Sequence, residues 1–297
     1  MSSHIDQPLA KSIFVTGSGR SGTTWLIEMM NLSGEYHIIF EPFAKKLNPE
    51  CAIDIEKPYL RSEDDYPFKD QVYKFLSGNV TNEWVDKIKS SNRQSNKLLV
   101  KDIRLNAALG WIQTNFPDLK IVYIVRDPFS VAFSAAERGW GKALHNAYLK
   151  QSRLVKDHLE KQLPILNQAD TLFQKGVAVW CIENYMVLKN ALRNEMITSV
   201  FYETAVREPD AELSRLALFC GHTVPKLNSW RLHKRSTLAD RRSVTKPSSQ
   251  KFGRRWEGQI SQADTDYANE VIESFGLTKL YPERNQPGYS QPLDLIL

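Results

Sequence analysis

The feature that most limits the fold is a glycine-rich segment at residues 17–24, Gly-Ser-Gly-Arg-Ser-Gly-Thr-Thr. Residues 12–16 before it are rich in apolar and β-branched side chains, a pattern typical of a buried strand. The residues after it carry apolar side chains at helical spacing, at Leu26, Met29 and Met30. Glycines allow successive N–H groups to face one point, and the positive end of the helix faces the same point. The sequence therefore predicts a strand, an anion-binding loop and a helix.

The loop also carries four side chains that donate hydrogen bonds to anions: Arg20, Ser21, Thr23 and Thr24. Gly17 and Gly22 have the spacing of a nucleotide triphosphatase loop. Thr23, however, stands where such a loop needs the lysine that neutralises the β- and γ-phosphates. Arg20 supplies a cation from inside the loop instead. We therefore expect the loop to hold a phosphate or a similar oxyanion, and ATP or GTP is disfavoured.

A second candidate anion site follows residues 120–125, which form the clearest buried strand of the chain. Arg126 leaves that strand, and Ser134 lies two turns into the helix predicted after it. Further strands are predicted at residues 36–40, 97–100 and 198–203. Strands that alternate with helices predict a parallel sheet with helices on both faces. The predicted fold class is α/β, a P-loop NTPase-like parallel β-sheet flanked by helices.

These motifs resemble those of sulfotransferases that use 3′-phosphoadenosine 5′-phosphosulfate (PAPS) as the sulfuryl donor. Residues 17–25 look like the 5′-phosphosulfate loop of that family, and Arg126 with Ser134 matches its 3′-phosphate motif. The Arg-Ser-Gly-Thr form of the loop is similar to that of carbohydrate and tyrosyl-protein sulfotransferases. The cytosolic sulfotransferases have a tryptophan at the position of Trp25. The resemblance implies that PAPS is bound by these loop residues: Gly19, Arg20, Ser21, Gly22, Thr23, Thr24 and Trp25.

Two carboxylates compete for the role of general base. Glu41 lies in a Phe-Glu-Pro segment that also occurs in carbohydrate sulfotransferases, and a glutamate here is the expected base in several branches of the family. Asp102 stands where the cytosolic enzymes have a histidine base. Alternatively, Glu41 is a surface residue at a strand exit and Asp102 only orders a turn. We favour Glu41, and we expect Lys101 and Arg20 to stabilise charge during transfer.

Two later regions add candidates for PAPS binding. Tyr202, in a Phe-Tyr-Glu segment, resembles the family's tyrosine near the adenine, although a core position explains it nearly as well. Residues 234–255 hold eight Lys or Arg and one acidic residue, and a solvated tail or a nucleic-acid patch is the alternative. The resemblance implies that residues 232–258 close over PAPS. Three cations there are candidates for clamping phosphates: Lys251, Arg254 and Arg255.

Composition sets the remaining expectations. The 297 residues, with 42% hydrophobic and 25% charged residues, suit one large domain over residues 1–297, with a helical cap insert at 138–175. Trp140 in that insert either stacks on a sugar or belongs to the core. The three distant cysteines indicate a reducing compartment, and the polar first eleven residues indicate a cytoplasmic enzyme without a membrane span. The net charge of +5 suits an anionic ligand, and no residue spacing indicates a metal site.

The predicted function is transfer of a sulfuryl group from PAPS to an acceptor hydroxyl, and the loop and Phe-Glu-Pro motifs favour a carbohydrate. A P-loop kinase acting on a small metabolite is the main alternative. Thr23 in place of lysine and the pairing of Arg126 with Ser134 argue against that kinase. A non-catalytic protein that binds the adenosine bisphosphate but transfers nothing is the third hypothesis.

Overall fold

A parallel β-sheet forms the centre of the protein, whose computed structural model describes residues 9–89, 91–190, 195–221, 253–283, 286–288 and 292. Its strands are β1 Ser12–Gly17, β2 His37–Phe40, β3 Leu98–Lys101, β4 Lys120–Val125 and β5 Ile197–Phe201. They lie in the order β2-β3-β1-β4-β5, and each of these pairings is parallel. The predicted parallel sheet is therefore confirmed.

Helices connect the strands and cover both faces of the sheet. The α-helices of the described part are α1 Thr23–Met30, α2 Lys69–Leu76, α3 Leu109–Asn115, α4 Pro128–Ala136, α5 Gly141–Leu149, α6 Ser152–Leu154, α7 Leu163–Asn167, α8 Leu172–Asn190, α9 Tyr202–Arg207, α10 Pro209–Cys220 and α11 Gln262–Ser274. Short 3-10 helices lie at Leu9–Lys11, Asn106–Ala108 and Thr278–Leu280. A π-helical turn, Val155–Leu159, continues α6. None of the described helices is both long and apolar enough to span a bilayer.

Alternating side chains of the strands are buried in two separate layers. In β1, Phe14 packs in the layer that includes α3, α4, α8 and α11, whereas Ile13 and Val15 pack in the layer of α1, α9 and α10. Burial of each such side chain contributes roughly 1.5–3 kcal/mol before its entropy cost. Because β1 has β3 on one side and β4 on the other, the chain reverses its winding direction there. Ligands of open parallel sheets bind at this reversal, outside the carboxyl ends of the strands.

Two local predictions are corrected by the structure. The strand predicted to run to residue 203 ends at Phe201, and Tyr202 begins α9, because Ala205 and Val206 turn into the layer that contains α1. The sequence of residues 84–88 also predicts a short helix, but residues 83–86 form turns and residues 87–88 have no regular structure. The Asn82 side chain accepts the N–H groups of residues 84 and 85 at 3.1 Å each, which satisfies those donors without a helix.

Candidate active site

The loop between β1 and α1 has a shape that depends on glycine at two points. A Cβ on Gly17 would lie 2.4 Å from the carbonyl oxygen of Ile124, so β1 and β4 approach closely there. Gly22 has φ +97°, and a Cβ at this residue would lie 2.6 Å from the Tyr202 ring. Arg20 has φ +76°, a left-handed conformation that costs a non-glycine residue about 1–2 kcal/mol. The loop is therefore fixed between β4 and α9 at some cost in backbone energy.

Buried donors at this loop lack partners. Ser21 is fully buried, and its Oγ makes no hydrogen bond within the described residues. The buried Nε of Arg126, one residue beyond β4, is also unpartnered in the part of the chain that the structure describes. A buried polar group left unpaired costs about 1–3 kcal/mol, so these atoms indicate a site that a polar ligand completes. The N–H of Ser21 is already used, since it donates to the Ser18 carbonyl at 3.0 Å.

The two predicted anion sites are joined through Arg20. Its Nε donates to Oγ of Ser134, in the second turn of α4, at 3.0 Å. Its carbonyl accepts a hydrogen bond from Nη1 of Arg126 at 3.2 Å. The sequence predicted Arg20 in one anion site and Arg126 with Ser134 in a second. The structure brings the residues of both predicted sites together, because Arg20 contacts both Ser134 and Arg126.

Aromatic rings line the side of the loop that faces α9. The Arg126 guanidinium carbon lies 4.4 Å from the centre of the Tyr202 ring, and Trp25 meets that ring edge-on with centroids 5.5 Å apart. Both rings are buried. A desolvated cation–π contact contributes about 2 kcal/mol, so it orients the guanidinium. Of the other predicted loop residues, Thr23 is buried, and Gly19 and Thr24 are half-buried.

Three residues behind Arg126 were not selected from the sequence. The Asp127 carboxylate caps α4 by accepting the N–H of Ser130 at 2.8 Å, and the Asp127 N–H donates to the Glu203 carboxylate at 3.1 Å. The Tyr281 hydroxyl donates to the other oxygen of Glu203 at 2.7 Å. Burial raises the pKa of Glu203. This network fixes the direction in which the chain leaves β4, and therefore where Arg126 lies.

Glu41 lies at the end of β2 between two cations. Its carboxylate is bound by the Lys101 ammonium and, at 3.0 Å, by Nη1 of Arg104. Its φ is +43°, and its carbonyl accepts the indole N–H of Trp84 at 3.0 Å. Burial alone would raise the pKa of Glu41, but the two cations outweigh burial and hold the pKa at about 2. Burial lowers the pKa of Lys101, whose side chain is 3% exposed.

Asp102 is fully buried and orders the turn after β3. One of its oxygens accepts the N–H groups of Ile103 and Arg104 at 2.7 and 2.8 Å, and the other accepts the N–H of Phe43 at 2.9 Å. Burial raises the pKa of this carboxyl. Its hydrogen bonds fit the turn-ordering alternative that the sequence left open.

The basic segment is described only from Gly253 onward, so Lys251 lies outside the described residues. The Gly253 carbonyl accepts the hydroxyl of Ser130, on α4, at 2.9 Å. The Arg255 guanidinium binds the Glu137 carboxylate at 3.0 and 3.1 Å, and Arg254 lies 3.6 Å from Glu257. Both arginines therefore have carboxylate partners at the end of α4 or within their own turn.

A buried ion pair near the loop has no counterpart in the sequence predictions. The Lys57 ammonium binds the Glu183 carboxylate, and the two side chains are 2% and 0% exposed. Lys57 also donates to the Ile103 carbonyl at 3.0 Å, and the Tyr148 hydroxyl donates to Glu183 at 2.9 Å. The sequence signal for this pair is Glu183, a glutamate among the apolar residues of α8. Among the described residues, no group of three His, Cys, Asp or Glu side chains is arranged to hold a metal ion.

Comparison with solved structures gives three similar sulfotransferases. The sulfotransferase domain from the curacin biosynthetic pathway is 18% identical, with 89% of this chain and 97% of that chain covered and a TM-score of 0.48. The sulfotransferase from Alicyclobacillus acidocaldarius is 13% identical, with 94% and 97% covered and a TM-score of 0.46. The mouse sulfotransferase SULT7A1, complexed with PAP, is 12% identical, with 91% and 90% covered and a TM-score of 0.41. A comparison with curated protein sequences found no match.

A family model described as "Sulfotransferase family" matches residues 12–226 of this chain. The match begins at β1 and includes the glycine-rich loop, Glu41, Arg126 and Ser134, which are the positions that carried the resemblance in the sequence. It covers well over half of the 297 residues. The chain therefore belongs to the sulfotransferase family.

Proposed function

We propose that the protein transfers a sulfuryl group from PAPS to an acceptor hydroxyl. The observation that carries this proposal is the constellation at the carboxyl ends of β1 and β4. There, Arg20, Arg126 and Ser134 are joined by hydrogen bonds, and the buried Ser21 hydroxyl and Arg126 Nε are unpartnered among the described residues. PAPS supplies an activated sulfuryl group on a leaving phosphate and carries a second phosphate on its ribose. A continuous cationic site suits a molecule with two separated anionic groups.

Residues of the loop would hold the phosphosulfate end of the donor. The N–H groups in the first turn of α1 have no acceptor within the helix, and the buried Ser21 hydroxyl has no partner in the described part of the chain. Arg126 and Ser134 would bind the ribose phosphate. Tyr202, stacked on Arg126, would contact the adenosine. Because ATP lacks the ribose phosphate, Arg126 would distinguish PAPS from ATP.

The chemical demand on the site is to stabilise negative charge. As the bond between sulfur and the bridging oxygen breaks, that oxygen becomes part of a phosphate and gains charge. Donors already fixed in place stabilise such charge without reorganisation, and losing one typically costs 10²–10³ in rate. Arg20 is held by Ser134 and by the backbone turn, so it is preorganised for this role. Lys101 is proposed to support charge on the acceptor side.

A carboxylate at the same edge of the sheet would take the proton of the acceptor hydroxyl. We propose Glu41, as the sequence favours, with Asp102 as the alternative. The low pKa of Glu41 keeps it ionised, which a base requires, although it also weakens the carboxylate as a base. Asp102 has both oxygens occupied by backbone N–H groups. The acceptor itself is predicted from the loop and Phe-Glu-Pro motifs to be a carbohydrate.

The proposal is tested by calorimetric titration with adenosine 3′,5′-bisphosphate in the presence of a magnesium chelator. We expect the unmodified protein to bind, and Arg126→Ala to bind about a hundredfold more weakly, because a charge-assisted pair is lost. Arg93→Ala is the control, since Arg93 precedes β3 and its side chain, which pairs with Asp86, is largely exposed. Magnesium-dependent binding of ATP in preference to the bisphosphate would support the kinase alternative. Binding without transfer of labelled sulfate to any hydroxyl acceptor would support the non-catalytic one.

A further inference from the structure

The peptide unit between Arg126 and Asp127 is held by side chains at both of its ends. It lies just beyond β4, which ends at Val125. Its carbonyl oxygen, that of Arg126, accepts the indole N–H of Trp180 at 3.0 Å. Its N–H, that of Asp127, donates to the Glu203 carboxylate at 3.1 Å. Because the C=O and the N–H of a trans peptide point in opposite directions, the two partners hold the unit from opposite sides.

These two hydrogen bonds restrict the backbone of Arg126. A residue has two soft backbone angles, φ and ψ. The strand β4 fixes the peptide before Arg126, and Trp180 with Glu203 fixes the peptide after it, so both angles are set. The guanidinium at the far end of the side chain contacts the Arg20 carbonyl and the Tyr202 ring. The direction of the side chain is therefore set by the backbone before any ligand binds.

The helix α8 places Trp180 for this contact. The Trp180 side chain is 1% exposed and packs in the core layer that contains α4 and α8. One turn further along, the Asn184 side chain donates to the Trp180 carbonyl at 2.7 Å and to the Ser18 hydroxyl at 3.3 Å. A buried indole N–H needs an acceptor, and the Arg126 carbonyl provides it. The same turn of α8 therefore contacts both the residue after β4 and the glycine-rich loop.

We propose that Trp180 is a positioning residue for recognition of the ribose 3′-phosphate of the donor, an inference that rests on the proposed function. Trp180 acts through the backbone of Arg126 and not by touching the nucleotide. Since Arg126 is proposed to distinguish PAPS from ATP, loss of the indole N–H weakens the preference for nucleotides that carry the 3′-phosphate. The contacts proposed between the 5′ end of the donor and the glycine-rich loop stay in place.

Substitution of Trp180 by phenylalanine removes the indole N–H and keeps an aromatic ring in the core. Calorimetry measures the dissociation constants of adenosine 3′,5′-bisphosphate and of AMP, which lacks the 3′-phosphate. We expect Trp180→Phe to lower the preference for the bisphosphate about tenfold, because one buried hydrogen bond is lost. Trp111→Phe is the matched control, since that indole is also 1% exposed and donates to a backbone carbonyl, that of Asp64, at 2.8 Å. The control should keep the preference of the unmodified protein.

A double-mutant cycle tests whether Trp180 acts through Arg126. In the Arg126→Ala background, Trp180→Phe should leave the preference unchanged, because the side chain that Trp180 positions is absent. Tyr281→Phe tests the other end of the peptide unit and keeps its ring in the core. The Tyr281 hydroxyl donates to the Glu203 carboxylate at 2.7 Å, so its removal loosens the partner of the Asp127 N–H. We expect this variant to lose about threefold in the same preference.

Three results would overturn the positioning role. The first is equal weakening of bisphosphate and AMP binding by Trp180→Phe, because the indole would then only support the fold. The second is a loss of preference that is equally large with and without the Arg126 side chain. The third decides the matter if Trp180→Phe does not fold, and it is an unchanged preference in Tyr281→Phe. An unmodified protein that binds AMP as tightly as the bisphosphate would instead count against the proposed function.

Discussion

Substitution of Glu41 by glutamine tests the electrostatic description of the site. The carboxylate is 12% exposed and paired with Lys101 and Arg104, and its pKa falls from an ordinary value of 4.5 to about 2. At about 1.4 kcal/mol per pKa unit, the ionised form stabilises the folded protein by about 3 kcal/mol. The substitution also leaves the buried Lys101 without its carboxylate, and breaking a buried pair costs about 3–5 kcal/mol. We therefore expect Glu41→Gln to lower the free energy of unfolding by about 3 kcal/mol at pH 7.

The pH dependence of this difference has a definite sign. Because the folded pKa lies below the unfolded one, the stabilisation is complete above the unfolded value and is lost as the pH falls toward 2. The two pKa values predict that the difference between the proteins shrinks to about 2 kcal/mol at pH 3.5. Urea unfolding followed by tryptophan fluorescence measures it, because urea does not screen the charges. Glu35→Gln is the control, since its pair with Lys97 is exposed and is worth at most about 1 kcal/mol.

Two results would refute this reasoning. One is a loss smaller than about 1 kcal/mol at pH 7, and the other is a difference between the proteins that does not change with pH. The same variant also tests the proposed base. If Glu41 takes the acceptor proton, kcat per folded molecule falls by about 10²–10⁴ while bisphosphate affinity is retained. Unchanged turnover would assign the proton to another carboxylate.

Two further substitutions separate binding from turnover at the loop. We expect Arg20→Ala to lower kcat by about 10²–10³ and to change the bisphosphate dissociation constant less than tenfold, measured by labelled transfer and by calorimetry. A larger effect on binding than on kcat would mean that Arg20 only positions the donor. We expect Ser21→Ala to weaken bisphosphate binding about tenfold without loss of thermal stability, because the hydroxyl has no partner among the described residues. Reduced stability with unchanged affinity would assign that hydroxyl to the fold.

The fold and the elements that carry the proposed donor site were predictable because their signals are local. The strand before Gly17, the glycines and the helix after them are consecutive, and the same holds for β4, Arg126 and α4. The end of a continuous apolar run marks the carboxyl end of a buried strand. In a parallel sheet, ligands bind at the carboxyl ends of the strands. The boundary of β5 was missed by two residues, because the burial of Ala205 and Val206 that starts α9 is a tertiary effect.

The buried pair of Lys57 and Glu183 was not predictable from the sequence, because the contact joins distant parts of the chain. Lys57 and Glu183 are 126 residues apart, and neither belongs to a spaced motif. Lys57 lies in a polar stretch without hydrophobic periodicity, and Glu183 lies among apolar residues of α8. A buried charge is tolerated only when an opposite charge lies beside it, and here the two residues become neighbours only in the folded protein. The role of Asp102 was obscure for a related reason, since backbone N–H groups leave no trace in the sequence.

The cations of the site differ in whether a bound anion must displace a carboxylate. Lys101 and Arg104 are paired with Glu41, Lys57 with Glu183, and Arg255 with Glu137. A phosphate that approaches any of these competes with a carboxylate already in place. Arg126, in contrast, interacts with a carbonyl oxygen and a tyrosine ring, and its Nε is unpartnered within the described residues. Neither contact neutralises its charge, so an anion at Arg126 gains an ion pair without breaking one. For this reason the proposed donor affinity depends on Arg126 more than on the number of basic residues nearby.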